Sequence, residues 1–454
     1  MSEPVGGPAG RHGLPHRWWT PVRVLLAGFA VVFALGLVQK APCINDHWNS
    51  NNVRYSKMCY SDIPYLYTGR GFAEHRWPYA GSHGRYPAME YPVGISYLAW
   101  AASEVTALAP EGPPMVARIA VAPSQLWGLP GMDREINENF LITALMLCGF
   151  GLLATYFLAG AHRGRPWDAM GFVLSPMLLL AGLINWDLMA VALVAGALWA
   201  WARGRSFWAG VFVGLGIATK LYPVFLLGAF FVVCLRRRDW RPALLSALGA
   251  MVAWASVNLP AMLTGLSQWK MFWTFNTRRQ ADLGSIWYLL ELKHHTFSAH
   301  EINLVSWTFL VVAGAVVLAL GLTAPRPPRV AQLGFLLVAA FLLVNKVYSP
   351  QYVLWLLPLA ALARPRWRDL LIWQACELAY FAAVWLFLGG WLEDSTGTSS
   401  PAYQLAIVVR MIGQIYLMLV VTRDILVTEL DPVRGPDGED QMTSVGPGLT
   451  RTSG

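Results

Sequence analysis

Residues 207–241 read "FWAGVFVGLGIATKLYPVFLLGAFFVVCLRRRDWR". Two apolar runs, 207–219 and 222–235, meet at Lys220, and the second ends on three arginines. A lysine amid that much apolar sequence is costly unless it meets water, a partner or a polar cavity. Short loops rich in Lys and Arg stay on the cytoplasmic side of a membrane. The stretch therefore reads as two membrane helices joined by a polar turn on the external side.

The rest of the chain follows this pattern. Its 454 residues are 56% hydrophobic and only 13% charged, with mean hydropathy +0.44. A soluble chain carries about 25% charged residues. Twenty-two tryptophans and sixteen tyrosines suit belts at two membrane interfaces. Net charge is +8, but the arginines stand in short clusters between apolar runs, with no aromatic-basic module. That speaks for membrane topology and membrane lipids as partners, and against nucleic acid.

Apolar runs lie at 22–38, 91–108, 138–160, 170–183, 188–202, 207–219, 222–235, 242–265, 303–322, 330–345, 351–363, 369–392 and 402–421. Five basic clusters separate them: "AHRGR" (161–165), "ARGR" (202–205), "LRRRDWR" (235–241), "APRPPR" (324–329) and "RPRWR" (364–368). Placing all five in the cytoplasm gives consistent parity except between the N-terminus and residue 161. One run there does not cross. The choice falls on 91–108, which opens with "EYPVG" and contains Glu104, as an interfacial or re-entrant helix. The expected fold is an all-α polytopic membrane protein with about twelve transmembrane helices.

Residues 1–21 read as a basic cytoplasmic N-terminus, since "GLVQKAPC" after the first run lacks a small-residue cleavage site. Residues 22–425 form one transmembrane domain, and the polar, Gly/Pro-rich tail 426–454 reads as disordered and cytoplasmic. The external side collects a large loop at 39–90, turns at 184–187, 218–223 and 345–352, a second loop at 266–302, and "LEDSTGTSS" at 392–400. Cys43 and Cys59 bracket part of the first loop, in a compartment that permits disulfides. Bridging them would add about 3 kcal/mol on a chain-entropy model.

Chemistry is therefore sought outside. Lys220 in "TKLYPVFLL" and Lys346 in "NKVYSPQYVLWLLPL" echo each other, each ending one apolar run before an aromatic and a proline open the next. They read either as snorkelling side chains or as two cations converging on a lipid phosphate. Arg278 and Arg279 in "FNTRRQADLGSIW" lie on the same side, and arginine suits phosphate. External acids are Asp46, Asp62, Glu74, Glu90, Asp187, Asp282, Glu291, Glu301, Glu393 and Asp394. No H-E-x-x-H, C-x-x-C or D-x-D occurs among them, so neither a metal nor another cofactor is expected, and the His294–His295 pair reads as solvated. Acids, cations and aromatics beside lipid fit a transferase with a lipid phosphate donor. Asp62 in "CYSDIPYLYTGRG" is the expected base, with Tyr65 and Tyr67 offering rings to sugars. Glu90, Tyr91, Asn185, Asp187, Tyr222, Tyr348 and Gln351 complete the expected sugar and acceptor lining.

These segments, with "RPWDAMGFVLSP" and "NWDLMAVAL", run in order from about residue 43 to 363. Together they resemble actinobacterial glycosyltransferase family 87, part of the GT-C superfamily of polyprenyl-phosphate-sugar-dependent membrane enzymes. The resemblance implies a GT-C-like bundle and an acid in the first external loop, a position Asp62 matches. Asp46 is its rival, nearer the helix end but inside the proposed disulfide loop. It also implies an inverting transferase at the outer face of the cell membrane. The donor would be mannose or arabinose on a polyprenyl phosphate, and the acceptor a cell-envelope glycolipid or glycan. The chain departs from many relatives in reading "EYPVG" where they have Tyr-Pro-Pro. A lipid or glycan transporter or flippase is the alternative, since buried lysines and many helices would suit one.

Overall fold

The computed structural model describes residues 17–80, 84–108, 111–162, 164–292, 295–393 and 399–434. Residues 1–16, His294, Asp394 and the tail from 435 lie outside them. Within them the chain is helical, apart from one isolated bridge between Glu393 and Ser399. Every apolar run forms helix, because continuous apolar sequence in lipid must satisfy its backbone internally.

Six helices are long and apolar enough to cross a membrane: Pro21–Asn45, Met132–Ala161, Arg241–Thr264, Ala299–Thr323, Trp367–Leu388 and Pro401–Leu426. Four more are apolar but shorter, namely Asp187–Trp201, Ser206–Thr219, Val330–Val344 and Pro350–Ala363. The expected run 170–183 is not one span. It breaks into Met170–Val173 and Pro176–Ala181, because Pro176 disfavours helix at the residue before it, and Ser175 instead caps the second piece.

The quoted stretch forms Ser206–Thr219, the 3-10 turn Tyr222–Val224, and Phe225–Arg237. Ser206–Thr219 lies almost backbone to backbone against Arg241–Thr264. A Cβ on Gly210 would come within 1.9 Å of the Ser246 carbonyl oxygen, and one on Gly214 within 2.2 Å of the Ala250 oxygen. Small residues four apart allow such close approach in membranes.

Val93–Thr106 packs against Met132–Ala161, Ser206–Thr219 and Arg241–Thr264. Gly94 lies against Thr219, the Tyr97 hydroxyl donates to the Val257 carbonyl (3.1 Å), and Asn139 donates to Thr106 Oγ1 (3.0 Å). The helix has fourteen residues, fewer than the roughly twenty that usually span a bilayer.

At the opposite end the arginine clusters interlock with buried acids. Arg329 pairs with Asp431 (2.9 Å), and Arg364 with Asp369 (2.8 Å) and Asp424 (2.6 Å), all fully buried. Asp431 falls in the tail expected to be disordered from 426, yet residues 426–434 pack here and include the 3-10 turn Thr428–Leu430. Without Asp431, Arg329 would be a buried charge lacking its counterion, so the bundle holds this part of the tail.

Candidate active site

The loop after the first helix is folded, not slack. The first helix continues past residue 38 to Asn45, and Cys43 is disulfide-bonded to Cys59, as the spacing suggested. That bridge fixes the start of "CYSD". Lys40, buried on the first helix, donates to the Tyr60 carbonyl (3.0 Å). Ser61 then caps the helix Asp62–Gly69, and the Asp62 N–H donates to the Ile184 carbonyl (2.7 Å). The acid thus sits in the first turn of a helix, where backbone dipoles favour a negative charge.

Two hydroxyls hold the Asp62 carboxylate. Tyr60 donates to Oδ1 (2.9 Å) and Tyr91 to Oδ2 (3.1 Å). Burial pushes this carboxyl above its ordinary pKa, while those hydroxyls and the Lys220 charge pull the other way. Lys220 follows immediately after Ser206–Thr219, its Nζ 3.1 Å from Asp187 Oδ1 and 4.6 Å from the centre of the Tyr91 ring. Asp187 opens the helix Asp187–Trp201, oriented by a bond from its own N–H to Asn185 Oδ1 (3.0 Å).

The loop 266–302 supplies a roof over the site. Leu266–Arg278 is a helix with no buried residue, and its successor Arg279 directs Nε to Asp282 Oδ2 (3.2 Å). Lys346 does not reach into the site as a free cation. Its Nζ donates to the carbonyls of Asn276 (3.0 Å), Thr277 (3.2 Å) and Arg279 (2.7 Å), so all three of its hydrogens are used. Backbone bonds from Asp282 N to the Lys346 carbonyl and from Tyr348 N to the Leu283 carbonyl extend this seam. Gly284, with φ +74°, makes the turn beneath; a Cβ there would collide with the Tyr380 hydroxyl.

These pieces enclose one cavity of about 980 Å³, lined by Asp62, Glu90, Tyr91, Lys220, Arg279 and Lys346 and by many aromatics. Of the three acids lining it, Glu90 is gripped by Arg70 (2.8 Å) and Asp282 by Arg279. Asp62 alone has hydroxyls as its direct hydrogen-bond partners, which leaves it the acid best able to take a proton. The same cavity is lined by Lys220 and Arg279 and by an apolar set that includes Phe225, Trp307, Leu310 and Phe341. Trp307 and Leu310 belong to Ala299–Thr323, whose apolar window is only 11% buried.

The expected residues separate accordingly. Asp62, Glu90, Tyr91, Lys220, Arg279, Tyr222, Lys346, Tyr348 and Gln351 share the cavity, and Asp187 reaches it through Lys220. Asp46 does not line it; its carboxylate accepts from the Ser50 N–H (2.7 Å) in the loop's first turn. Arg278 is exposed on the far face of the roof helix, because successive helical residues point about 100° apart. Tyr65 and Tyr67 are supports, not sugar lining. Tyr65 donates to the Trp48 carbonyl (2.8 Å), and the buried Tyr67 donates to Glu135 Oε1 (2.5 Å). Asn185 is buried beneath the site.

Sequence reasoning missed Tyr55, Tyr60, Tyr352, Trp355 and Trp385, which line the cavity. For Tyr60 a signal existed, since it sits between a cysteine and the acid; for Trp385, inside an apolar run, none did. No curated protein matches the chain. Residues 136–345, which carry Asp187, Lys220 and Arg279 but not Asp62, match the family model described as Glycosyltransferase family 87, and over that stretch, somewhat under half of the chain, the protein is similar to those glycosyltransferases.

Proposed function

We propose that the protein is an inverting glycosyltransferase that moves a sugar, mannose or arabinose, from a polyprenyl phosphate to a glycolipid or glycan of the cell envelope, working at the outer face of the membrane. One observation carries this reading. A single cavity joins a carboxylate free of direct ion pairing, two cations and an apolar wall on a helix left open to lipid. A lipid phosphate sugar has a matching set of parts: polyprenyl chain, anionic phosphate and sugar. About 980 Å³ lies at the upper end of the usual range for ligand pockets.

The chemistry is one displacement. The acceptor hydroxyl oxygen bonds to the anomeric carbon as the bond from that carbon to the phosphate oxygen breaks. The hydroxyl proton goes to Asp62, and the negative charge stays on the departing lipid phosphate beside Lys220 and Arg279. Cations already placed where charge develops lower the barrier without reorganising. Lys220 starts paired to Asp187, so the growing phosphate charge competes for an ammonium already fixed in position.

A flippase would need a path to both faces, whereas the arginine end is filled by buried ion pairs. The test uses purified protein in nanodiscs with decaprenyl-phosphate mannose and decaprenyl-phosphate arabinose. Transfer or slow hydrolysis of the sugar, lost in Asp62→Asn while donor binding persists, is the expected result. Movement of intact lipid across liposomes without cleavage would instead establish the transporter.

A further inference from the structure

Resting on the transferase reading, we infer that the acceptor presents a sugar ring, not a lipid alcohol or a protein hydroxyl, and that the ring lies on a shelf of Tyr55, Tyr60 and Trp385. The three rings pack together, Tyr55 nearly parallel to the other two, and Tyr60 and Trp385 tilted by 38° to each other. Tyr60 and Trp385 have centroids 5.3 Å apart, Tyr55 and Trp385 6.2 Å, and Tyr55 and Tyr60 6.3 Å. All three line the cavity.

Their position relative to the base decides what they can hold. Asp62 Oδ1 faces Tyr60 and its shelf, while Oδ2 faces Tyr91, whose ring carries Lys220. Arg54, 5.7 Å from the centre of the Tyr55 ring, and Lys40, bonded to the Tyr60 carbonyl, do not line the cavity. Of the cations beside Asp62 it is Lys220, on the Tyr91 side, that lines it. A donor phosphate belongs with the cations, so an attacking hydroxyl arrives from the shelf. The single displacement needs the two substrates on opposite sides of the anomeric carbon, and the base must touch the incoming hydroxyl.

The shelf has two features of a carbohydrate site. Its ring faces carry negative charge that attracts the slightly positive C–H groups of a pyranose or furanose. Trp385 is also 3% exposed, and its buried indole N–H has no partner in the protein, as is true of the Gln351 side-chain oxygen and the Tyr222 hydroxyl in the same cavity wall. Buried donors and acceptors are rarely left unmatched, and sugar hydroxyls supply both kinds of partner. The shelf is built from two distant parts of the chain. Tyr55 and Tyr60 ride on the disulfide-pinned loop, and Trp385 on the last turn of Trp367–Leu388.

The experiment is saturation-transfer NMR on the full-length protein in nanodiscs, since sugar-headed detergents would compete. The probes are methyl α-mannoside, methyl β-glucoside and methyl α-arabinofuranoside. At least one should show ring-proton transfer with the wild type. That signal should fall about tenfold or more in Trp385→Ala and in the loop variant Tyr55→Ala. It should persist in Trp385→Phe, which keeps a ring, and in Lys220→Met, which alters only the donor side. In the transfer assay the same two alanine variants should raise the KM for acceptor and leave donor KM unchanged. Absence of transfer to every probe, or equal loss in Lys220→Met and Trp385→Ala, overturns the shelf. Sugar binding that survives in a protein unable to bind or cleave the lipid donor would keep the shelf and remove the transferase reading.

Discussion

The turns at Lys220 and Lys346 are alike in sequence and differ in use. Each lysine ends an apolar run, precedes a tyrosine and a proline, and lines the same cavity. Lys220 meets a carboxylate and an aromatic face, so its charge remains available to an anion at short range. Lys346 meets three carbonyl oxygens at the end of the roof helix, so its hydrogens are taken and its work is to hold Arg279 in place. The arrangement suits each site. Carbonyls at a helix C-terminus carry partial negative charge and attract a cation, while the mouth of Asp187–Trp201 positions an acid. A lysine's context in sequence sets which side of the membrane it occupies, but not which partner it finds there.

Mutations can sharpen or break this contrast. The largest effect is expected at Asp62, the proposed base, which shares the cavity with both lysines. Asp62→Asn should lower transfer by about 10²- to 10⁴-fold, the usual worth of a general base, with lipid donor still bound. A loss below tenfold, read from labelled sugar transfer, would return Asp46 to contention.

Next comes the lysine pair itself. Lys220→Met should lower kcat/KM by about 10- to 100-fold, as expected for one charge-assisted contact to the phosphate. Lys346→Met should act through the roof, raising donor KM and speeding tryptic cleavage at Lys270 and Arg278, which Lys220→Met should leave unchanged. Equal kinetic losses with no change in cleavage would make both lysines phosphate ligands.

The neighbouring arginines offer a smaller version of the same contrast. Arg279→Ala should cost roughly tenfold in kcat/KM, whereas Arg278→Ala, on the exposed face, should stay within about twofold. Parity between them would mean that the roof turns over when donor binds.

The mildest effect is a shift in pH dependence. A base works only when ionised, and burial raises the Asp62 carboxyl, so transfer should fall on acidification through an apparent pKa above the ordinary value near 3.9. Tyr60 and Tyr91 stabilise the charged form, so Tyr91→Phe should move that acidic limb to still higher pH. A limb that stays put, or moves downward, would show that these hydroxyls do not hold the reacting carboxylate.

The two ends of the bundle show the same limit on what sequence reveals. Arginines at both ends look equally exposed in the chain. At the end opposite the cavity, Arg329 and Arg364 are paired with Asp431, Asp369 and Asp424, all fully buried. At the other end, Arg279 and Asp282 form their pair at a cavity wall. Asp431 was unreadable as a partner because it lies about a hundred residues from Arg329 in a stretch whose composition resembles a loose tail.

By itself the sequence determined most of the helices, the Cys43–Cys59 bridge, and that Asp62 and Lys220 are candidates for one site. Each follows from local or one-dimensional rules: apolar length, charge asymmetry, cysteine spacing, and position after the first span. Only the tertiary structure decided that Tyr65 and Tyr67 support the loop while Tyr60 and Trp385 line the cavity, and that Lys346 binds the carbonyls of the roof while Lys220 lines the cavity paired to Asp187. Those choices depend on which distant groups meet inside the bundle, and a buried side chain takes the partner that best satisfies its hydrogen bonds, wherever in the chain that partner lies.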